Sequence, residues 1–162
     1  MKVSIIMGSD SDWPILKPAY ELLKKFDIEA EVVVASAHRT PGKVKEVVTT
    51  APERGVQAFI SAAGAAAHLG GVIASYTTLP VVAVPINATA LNGMDALLST
   101  VQMPSGIPVA SMAINGAKNA AIFVAEMFAI SDKALAEKLV EYRKNMAEEV
   151  AKKAARVEQQ LG

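Results

Sequence analysis

The sequence predicts an α/β protein built on a central parallel sheet, and three observations lead to that prediction. Short β-branched runs recur along the chain, each followed by a break with glycine, serine or proline and then by a stretch with helical spacing. Most of the runs are continuously apolar, which is typical of strands covered on both faces. Pro14 and Pro41 stand where helices are expected to begin, in a first turn that tolerates the missing N–H.

Strands and helices are expected to alternate through the first 130 residues. The strands are expected at Val3–Met7, Glu31–Ala35, Ala58–Ala62, Val81–Val84 and Val109–Ala113. The helices are expected at Pro14–Phe26, Pro41–Arg54, Ala66–Ser75, Gly93–Gln102 and Ala117–Phe128. We expect a single domain over residues 1–162, with an α/β core at 1–130 and a C-terminal helix at 131–162.

The last thirty residues carry one apolar stripe, at helical steps of three or four, along a helix of about 40 Å. This helix could lie partly on its own sheet, or its stripe could pack on another subunit. The residues of the stripe are Leu135, Leu139, Tyr142, Met146, Val150, Ala154, Val157 and Leu161.

Composition narrows the class of protein. The chain has 16 basic and 16 acidic residues and no cysteine. A net charge of zero provides no field to attract nucleic acid or an anionic membrane, so neither is an expected partner. The lack of cysteine excludes disulfides and thiolate catalysis and fits a reducing compartment. With no signal-peptide or membrane-spanning run either, we expect a cytoplasmic protein.

In an open parallel sheet, ligands bind at the carboxyl ends of the strands, so the loops that follow the strands are the candidate sites. The first loop, "GSDSDWP", offers serine hydroxyls and N–H groups for a phosphate, while a carboxylate suits paired ribose hydroxyls. Ser9, Ser11 and Asp12 therefore indicate a sugar phosphate. Plain helix capping is the competing interpretation.

The second and third loops carry the only two histidines. In "ASAHRTPGK", Arg39 can bind a phosphate and His38 can move a proton near neutral pH. A partly buried histidine beside a solvated arginine is the alternative. In "SAAGAAAHLGG", small residues let the backbone approach a flat ligand closely. Nothing close in sequence offers a partner to His68, so that partner must come from elsewhere in the fold or from a ligand.

A fourth segment, residues 85–108, is long for a connection within a compact domain and is therefore a further functional candidate. The fingerprints of phosphate-loop NTPases, dinucleotide-binding dehydrogenases and α/β-hydrolases are absent from the sequence. A metal site would need both histidines and a carboxylate to converge, so we expect no metal. Proton chemistry on a small phosphorylated substrate remains, with His38 as acid or base.

Four ordered motifs, "MGSDSDWP", "SAHRTP", "AGAAAHLGG" and "ALNGMDALLSTVQMPSGIPVA", resemble those of the N5-carboxyaminoimidazole ribonucleotide mutases of purine biosynthesis. The resemblance runs from Val3 to about Ile130. It implies a flavodoxin-like three-layer α/β/α sandwich, a homo-octamer, and no metal or organic cofactor. It also implies an isomerase that moves a carboxylate from the exocyclic nitrogen of the aminoimidazole to ring carbon four.

The resemblance also implies roles for individual residues. His38 would protonate the nitrogen as carbon dioxide leaves and later remove the ring proton. Small residues beside the ring would hold the carbon dioxide, closed in by His68 and Leu69. Ribose and phosphate would lie against the first two loops. The expected substrate-binding residues are Ser9, Ser11, Asp12, Ser36, Arg39, Ala63, Gly64, Ala65, His68 and Leu69.

Two positions depart from the family's pattern. Ala65 stands where a second glycine is usual, and Gly70 stands where proline is usual. The aminoimidazole ribonucleotide carboxylases, which use free carbon dioxide, are the nearest alternative. The His68-Leu69 pair and "LNGMDALLSTVQMP" favour the mutase. A flavodoxin-like module that binds flavin mononucleotide is a second alternative, and it is disfavoured by the scarcity of aromatic residues to stack on a flavin.

Overall fold

The structure of the chain, a computed structural model, describes residues 1–161 and contains two compact units, one over residues 1–124 and one from residue 125 onward. The first unit holds a five-stranded sheet in the order β2-β1-β3-β4-β5, in which every pairing is parallel. The strands are β1 (Lys2–Met7), β2 (Glu29–Val34), β3 (Ala58–Gly64), β4 (Val81–Ile86) and β5 (Ala110–Ser111). The helices are α1 (Trp13–Lys25), α2 (Pro41–Thr49), α3 (Leu69–Ser75), α4 (Met94–Val101), α5 (Ala117–Ala129) and α6 (Lys133–Leu161).

The strand order gives the sheet helices on both faces. The chain moves from β1 outward to β2, then crosses back over β1 to β3 and continues to β4 and β5. Since crossovers between parallel strands are right-handed, this reversal places α1 on one face and α2, α3 and α4 on the other. The predicted flavodoxin-like three-layer sandwich is thereby confirmed, and its topological switch point lies between β1 and β3.

The central strands form the core, as their apolar runs predict. β4 is buried along its whole length, and β1 is buried from Val3 onward. The face that carries α2 and α3 packs Val44 and Val48 with Leu69 and Ile73. The edge strand β2 differs, because Val32 and Val34 are 38% and 44% exposed. The inner strands are therefore covered on both faces, as predicted, whereas β2 is not.

Two helices, α2 and α3, are several residues shorter than the sequence predicts, and α4 lacks only the expected terminal residues Gly93 and Gln102. The helix expected at Pro41–Arg54 ends at Thr49, because Pro52 has no N–H to donate to the Val48 carbonyl. Ala51 N–H bonds to that carbonyl instead, at 3.3 Å, and a short 3₁₀ turn follows at Pro52–Arg54. The helix expected from Ala66 begins at Leu69, because the Ala66 carbonyl accepts from His68 N at 2.8 Å, a tighter turn than the α-helical bond from residue i+4.

β1, β2 and the 3₁₀ turn are joined by an ion cluster around Glu31. Arg54 donates from Nε and Nη2 to the two Glu31 carboxylate oxygens at 3.2 and 2.8 Å, and Lys2 Nζ lies 3.8 Å from the same carboxylate. The hydrogen bonds from Arg54 outweigh partial burial and hold the pKa of Glu31 below its usual value. The cluster fastens the edge strand to the turn that leads into β3.

In the second unit, α6 is a helix of 29 residues, or about 44 Å. Asp132 Oδ1 accepts a hydrogen bond from Leu135 N at 2.9 Å and caps its first turn. The predicted apolar stripe divides in two. Leu135 and Leu139 are buried, whereas the stripe residues Met146, Val150, Val157 and Leu161 are 53–81% exposed. Within residues 1–161, none of the helices combines the length and the apolar character needed to cross a membrane.

Candidate active site

Four loops meet at the carboxyl ends of the strands around a cavity of about 410 Å³. The site residues predicted from the sequence line this cavity, with the exception of His68, which is adjacent to it. Five further residues were not predicted: Gly8, Ala37, Ala66, Ala88 and Thr89. The complete lining is Gly8, Ser9, Ser11, Asp12, Ser36, Ala37, His38, Arg39, Ala63, Gly64, Ala65, Ala66, Leu69, Ala88 and Thr89.

The loop after β1 is a 3₁₀ turn with a capping box. Ser9 Oγ accepts from Ser11 N at 3.3 Å, and Asp12 Oδ2 accepts from Ser9 N at 3.2 Å. The capping interpretation of these side chains is thus correct, and the same residues also line the cavity. The Asp12 side chain is buried, and this burial raises its pKa above the usual value. The fold therefore keeps a buried carboxylate at the cavity wall, and no cationic side chain of residues 1–161 forms an ion pair with it.

The loop after β2 is locked by its own hydrogen bonds. Thr40 Oγ1 accepts from Ser36 N at 2.9 Å, and Ser36 Oγ accepts from Arg39 N at 3.2 Å. Arg39 Nη2 donates to Gly8 O at 3.3 Å, which links this loop to the loop after β1. The two loops follow the neighbouring strands β1 and β2, so Arg39 and Asp12 border the same cavity.

His38 and His68 are in direct contact. His38 Nε2 lies 2.9 Å from His68 Nδ1, and the two ring planes are 81° apart. The partner of His68 therefore comes from elsewhere in the fold, 30 residues away along the chain. A hydrogen bond between two ring nitrogens needs one proton between them, so one ring donates while the other accepts. The pair can hold or pass a proton beside the cavity.

The loop after β3 supplies the small residues, and close packing explains them. A Cβ on Gly64 would lie 2.5 Å from Ala88 Cβ, so this position cannot take a side chain without movement. The added methyl at Ala65 is accommodated at a φ of 55°, a conformation that costs an L-residue about 1–2 kcal/mol. A Cβ on Gly70 would lie 3.0 Å from Ser61 Oγ and 3.1 Å from Ala83 Cβ. Glycine at position 70 therefore lets α3 pack closely against β3 and β4.

The segment after β4 completes the cavity with Ala88 and Thr89. Thr89 Oγ1 donates to Asp95 Oδ2 at 2.7 Å and accepts from Leu91 N at 3.1 Å. Ser99 Oγ on α4 accepts from Ala67 N at 2.9 Å and so ties this helix to the loop after β3. The sequence pointed to this segment through the unusual length of residues 85–108, but that length identified neither Ala88 nor Thr89.

Across residues 1–161, no group of three or more His, Cys, Asp and Glu side chains is arranged to hold a metal ion. The titratable groups at the cavity are instead the two histidines, Asp12 and Arg39. Their arrangement suits a substrate that carries an anion and hydroxyl groups and that exchanges a proton with His38.

Comparison with known proteins places the chain in a family. The family model described as AIR carboxylase matches residues 2–149. The chain belongs to the AIR carboxylase family. Members of this family that the chain resembles include an N5-carboxyaminoimidazole ribonucleotide mutase of Thermotoga maritima, 51% identical over 98% of this chain and 92% of the relative. The mutase of the same name from Pyrococcus horikoshii is 52% identical over 97% of this chain and 89% of the relative.

The AIR carboxylase fold is also evident in solved structures. The crystal structure of Treponema denticola PurE matches with a TM-score of 0.84 and 28% identity, covering 96% of this chain and 97% of that one. The family resemblance predicted from the four sequence motifs is thereby confirmed.

Proposed function

We propose that the chain catalyses the N5-carboxyaminoimidazole ribonucleotide mutase reaction of purine biosynthesis and acts as an isomerase. The reaction moves the carboxylate from the exocyclic nitrogen to carbon four of the imidazole. Relatives that are 51–52% identical over nearly the whole chain carry the name of this mutase. The observation that carries the proposal is the histidine pair, with 2.9 Å between ring nitrogens, beside a cavity bordered by Arg39 and Asp12.

One proton carrier suffices for this reaction. His38 donates a proton to the exocyclic nitrogen as the bond from nitrogen to the carboxylate carbon breaks and carbon dioxide leaves. Carbon dioxide then forms a bond to carbon four, and His38 takes the proton from that carbon. His38 ends in the protonation state in which it began, so the two steps need no oxidant and no net acid or base. His68, bonded to His38, orients the ring and sets which nitrogen carries the proton.

Carbon dioxide has to stay in the cavity between the two steps. Ala63, Gly64 and Ala65 form a wall of small residues, and Leu69 adds a buried apolar side chain. These residues offer little polar surface to compete for the intermediate. The contact of Gly64 with Ala88 closes the wall on the side of β4.

The ribose and the phosphate are assigned to the polar side of the cavity. Asp12 accepts hydrogen bonds from ribose hydroxyls through the carboxylate that the fold keeps dehydrated. Arg39 pairs with the phosphate, and Ser9, Ser11 and Ser36 add hydroxyl donors. With ribose and phosphate held there, the imidazole is assigned to the part of the cavity lined by His38 and the small residues.

The two alternatives are disfavoured by different observations. A flavin would need aromatic side chains to stack on, yet His38 carries the only aromatic ring among the described residues of the cavity. Trp13 packs edge-on against Tyr20, with ring centroids 5.8 Å apart. A carboxylase that takes up free carbon dioxide would act on aminoimidazole ribonucleotide directly, and the named relatives at 51–52% identity argue for the mutase.

Incubation with the two candidate substrates separates the mutase from the carboxylase. The purified protein should convert N5-carboxyaminoimidazole ribonucleotide to the carbon-four isomer without added bicarbonate. Aminoimidazole ribonucleotide alone should not be carboxylated efficiently at millimolar bicarbonate. Efficient carboxylation with no isomerisation would establish the carboxylase instead. A flavin absorbance in the purified protein would favour the electron-transfer module.

We also propose the homo-octamer that the resemblance implies, in the cytoplasm. The exposed apolar residues Met146, Val150, Val157 and Leu161 of α6 support an interface between copies. Light scattering on the full chain should give eight times the 17.0 kDa chain mass. Val150→Glu should lower that mass, whereas Glu148→Lys on the same helix should not; an octamer unchanged by Val150→Glu would exclude this surface from the interface.

A further inference from the structure

Thr89 lines the active-site cavity, and its hydroxyl is already engaged in two hydrogen bonds. Its Oγ1 donates to Asp95 Oδ2 at 2.7 Å and accepts from Leu91 N at 3.1 Å. An ionised carboxylate only accepts and a backbone N–H only donates, so the direction of both bonds is fixed. A hydroxyl has one proton and two lone pairs, and one lone pair is therefore left. Toward a ligand in the cavity, Thr89 can act only as an acceptor.

Asp95 keeps the Thr89 hydroxyl in this orientation. It lies in the first turn of α4 and does not itself line the cavity. Its other carboxylate oxygen, Oδ1, is buried and bonds to no group within residues 1–161, so Thr89 is the one donor to this carboxylate in that part of the chain. A buried acceptor that loses its donor costs free energy, and the hydroxyl proton therefore stays directed at Asp95.

The segment that carries Thr89 packs against the wall of small residues. A Cβ on Gly64 would lie 2.5 Å from the Cβ of Ala88, the residue that precedes Thr89. The helix α4 is fastened to the loop that bears this wall, because Ser99 Oγ accepts from Ala67 N at 2.9 Å. Thr89 therefore borders the small residues, in the part of the cavity to which the imidazole is assigned.

We propose that Thr89 accepts a hydrogen bond from the exocyclic N–H of the aminoimidazole, and that Asp95 is a positioning residue that fixes the Thr89 hydroxyl as an acceptor. The inference rests on the proposed function for the identity of the substrate. In the neutral base, only the exocyclic nitrogen carries N–H groups, since one ring nitrogen bears the ribose and the other has no hydrogen. A hydroxyl free to rotate could donate to the exocyclic nitrogen and compete with His38 for its lone pair. The bond to Asp95 prevents that competition.

Two nucleotides that differ only in the exocyclic amine, aminoimidazole ribonucleotide and imidazole ribonucleotide, test the contact without turnover. Thr89→Val should raise the Kd of the amino nucleotide by about 2- to 13-fold, the effect of one neutral hydrogen bond, and leave the Kd of the other unchanged. Thr89→Ser should restore the affinity of the parent. Thr77→Val is the matched control, because Thr77 Oγ1 accepts from Leu79 N at 3.0 Å, in the same two-residue pattern, and does not line the active-site cavity.

Asp95→Asn tests the positioning role. The amide keeps the shape of the side chain but brings N–H donors, which can occupy the Thr89 lone pair and release the hydroxyl proton. The Kd of aminoimidazole ribonucleotide should rise by at least about twofold in Asp95→Asn, and the same substitution should add nothing in the Thr89→Val background. An equal effect of Asp95→Asn in both backgrounds would overturn the role of Asp95.

The mutase assay separates this inference from the proposed function. In Thr89→Val, kcat/KM for N5-carboxyaminoimidazole ribonucleotide should fall by a factor similar to the loss of affinity. An equal loss of affinity for both nucleotides in Thr89→Val, or no loss for either, would overturn the inference and leave the mutase standing. A parent whose preference for the amino nucleotide disappears in Thr89→Val, yet which isomerises no carboxylated imidazole, would overturn the proposed function and leave the Thr89 contact standing.

Discussion

Two carboxylates of the same structural unit, Asp12 and Glu31, have pKa values perturbed in opposite directions. Glu31 accepts two hydrogen bonds from Arg54 and lies near Lys2, so its charged form is stabilised. Asp12 is buried at the cavity wall, accepts from a backbone N–H, and has its charged form destabilised by dehydration. The first carboxylate holds β2 in place. The second keeps its charge available for a ligand, at a cost in stability.

The contrast extends to the residues around each carboxylate. The Glu31 cluster satisfies its own charges, with arginine and lysine facing one acid. The cavity is lined by His38, which bonds to the adjacent His68, by a strained Ala65, and by Arg39, with which no carboxylate of residues 1–161 forms an ion pair. Unfavourable features of this kind collect where binding can compensate for them. Satisfied charges therefore mark the Glu31 cluster as structural, whereas unsatisfied charges and backbone strain mark the cavity as functional.

Among the residues of the cavity, His38 should have the largest effect on activity when it is replaced. His38→Asn preserves shape and one hydrogen bond but cannot carry the proton. Its kcat in the mutase assay should fall by about 10² to 10⁴, because general acid–base catalysis contributes that factor. Because His38 is exposed, the unfolding temperature should stay close to that of the parent. A kcat within tenfold of the parent would make His68 the next candidate for the proton carrier.

Loss of the binding groups should have the next largest effect. Arg39→Ala and Asp12→Ala should each raise the Kd for substrate by about 10- to 150-fold, which is the loss of a charge-assisted hydrogen bond of roughly 1.5–3 kcal/mol. Calorimetric titration with a non-reacting substrate analogue measures this directly. Lys45→Ala is the control for a lost surface charge. Unchanged affinity in both variants would remove these residues from the site.

The two carboxylates should also affect stability with opposite dependence on pH. A lowered pKa means that Glu31 contributes stability above about pH 4.5, its ordinary value, and loses it as the pH falls through the folded-state pKa. A raised pKa means that the contribution of Asp12 is fully present below about pH 3.8 and is lost as the pH rises through its folded-state value.

Conservative amides make this difference measurable. Glu31→Gln should lower the free energy of unfolding at pH 7 by only about 1 kcal/mol, because the Glu31–Arg54 pair is partly exposed. The loss should be smaller in acid, where Glu31 of the parent is itself protonated. Asp12→Asn should raise it at pH 7, with a gain that vanishes in acid, because the amide keeps the acceptor for Ser9 N. Urea unfolding between pH 3 and pH 7 provides both curves. Slopes of the same sign would contradict the comparison.

Ala65 should give the smallest effect. Ala65→Gly relieves a left-handed φ but adds the conformational entropy of glycine to the unfolded chain. The net result should be a gain below about 1 kcal/mol, whereas Ala136→Gly within α6 should destabilise by about 1 kcal/mol. A loss of stability in Ala65→Gly would show that the methyl at this position contributes packing that outweighs the strain.

The sequence was sufficient to predict most of the sheet and the loops that form the site. The inner strands are continuous apolar runs, and the loops after them carry the polar motifs, so the strand ends could be located within a few residues. The predicted end of α2 and the predicted start of α3 were wrong because a missing proline N–H and a tight turn from Ala66 to His68 decided them. Local backbone geometry of this kind has a weak sequence signal.

The unpredicted parts of the site are contacts between distant segments. The bond between His38 and His68 joins the loops after β2 and β3, and the fit of Gly64 against Ala88 joins the segments after β3 and β4. Sequence periodicity describes one helix or strand at a time. These contacts between distant segments can therefore be identified only when the register of the sheet is known.

Exchange of the carbon-four proton of aminoimidazole ribonucleotide with deuterated solvent tests the central claim most directly, because it isolates the proton step at His38 from carbon dioxide transfer. The account predicts that proton NMR will detect exchange catalysed by the parent and lost by at least a hundredfold in His38→Asn, which should still bind the nucleotide. Arg39→Ala should instead recover its exchange rate at saturating nucleotide. Undiminished exchange in a His38→Asn protein that binds normally would contradict the assignment of His38 as the proton carrier.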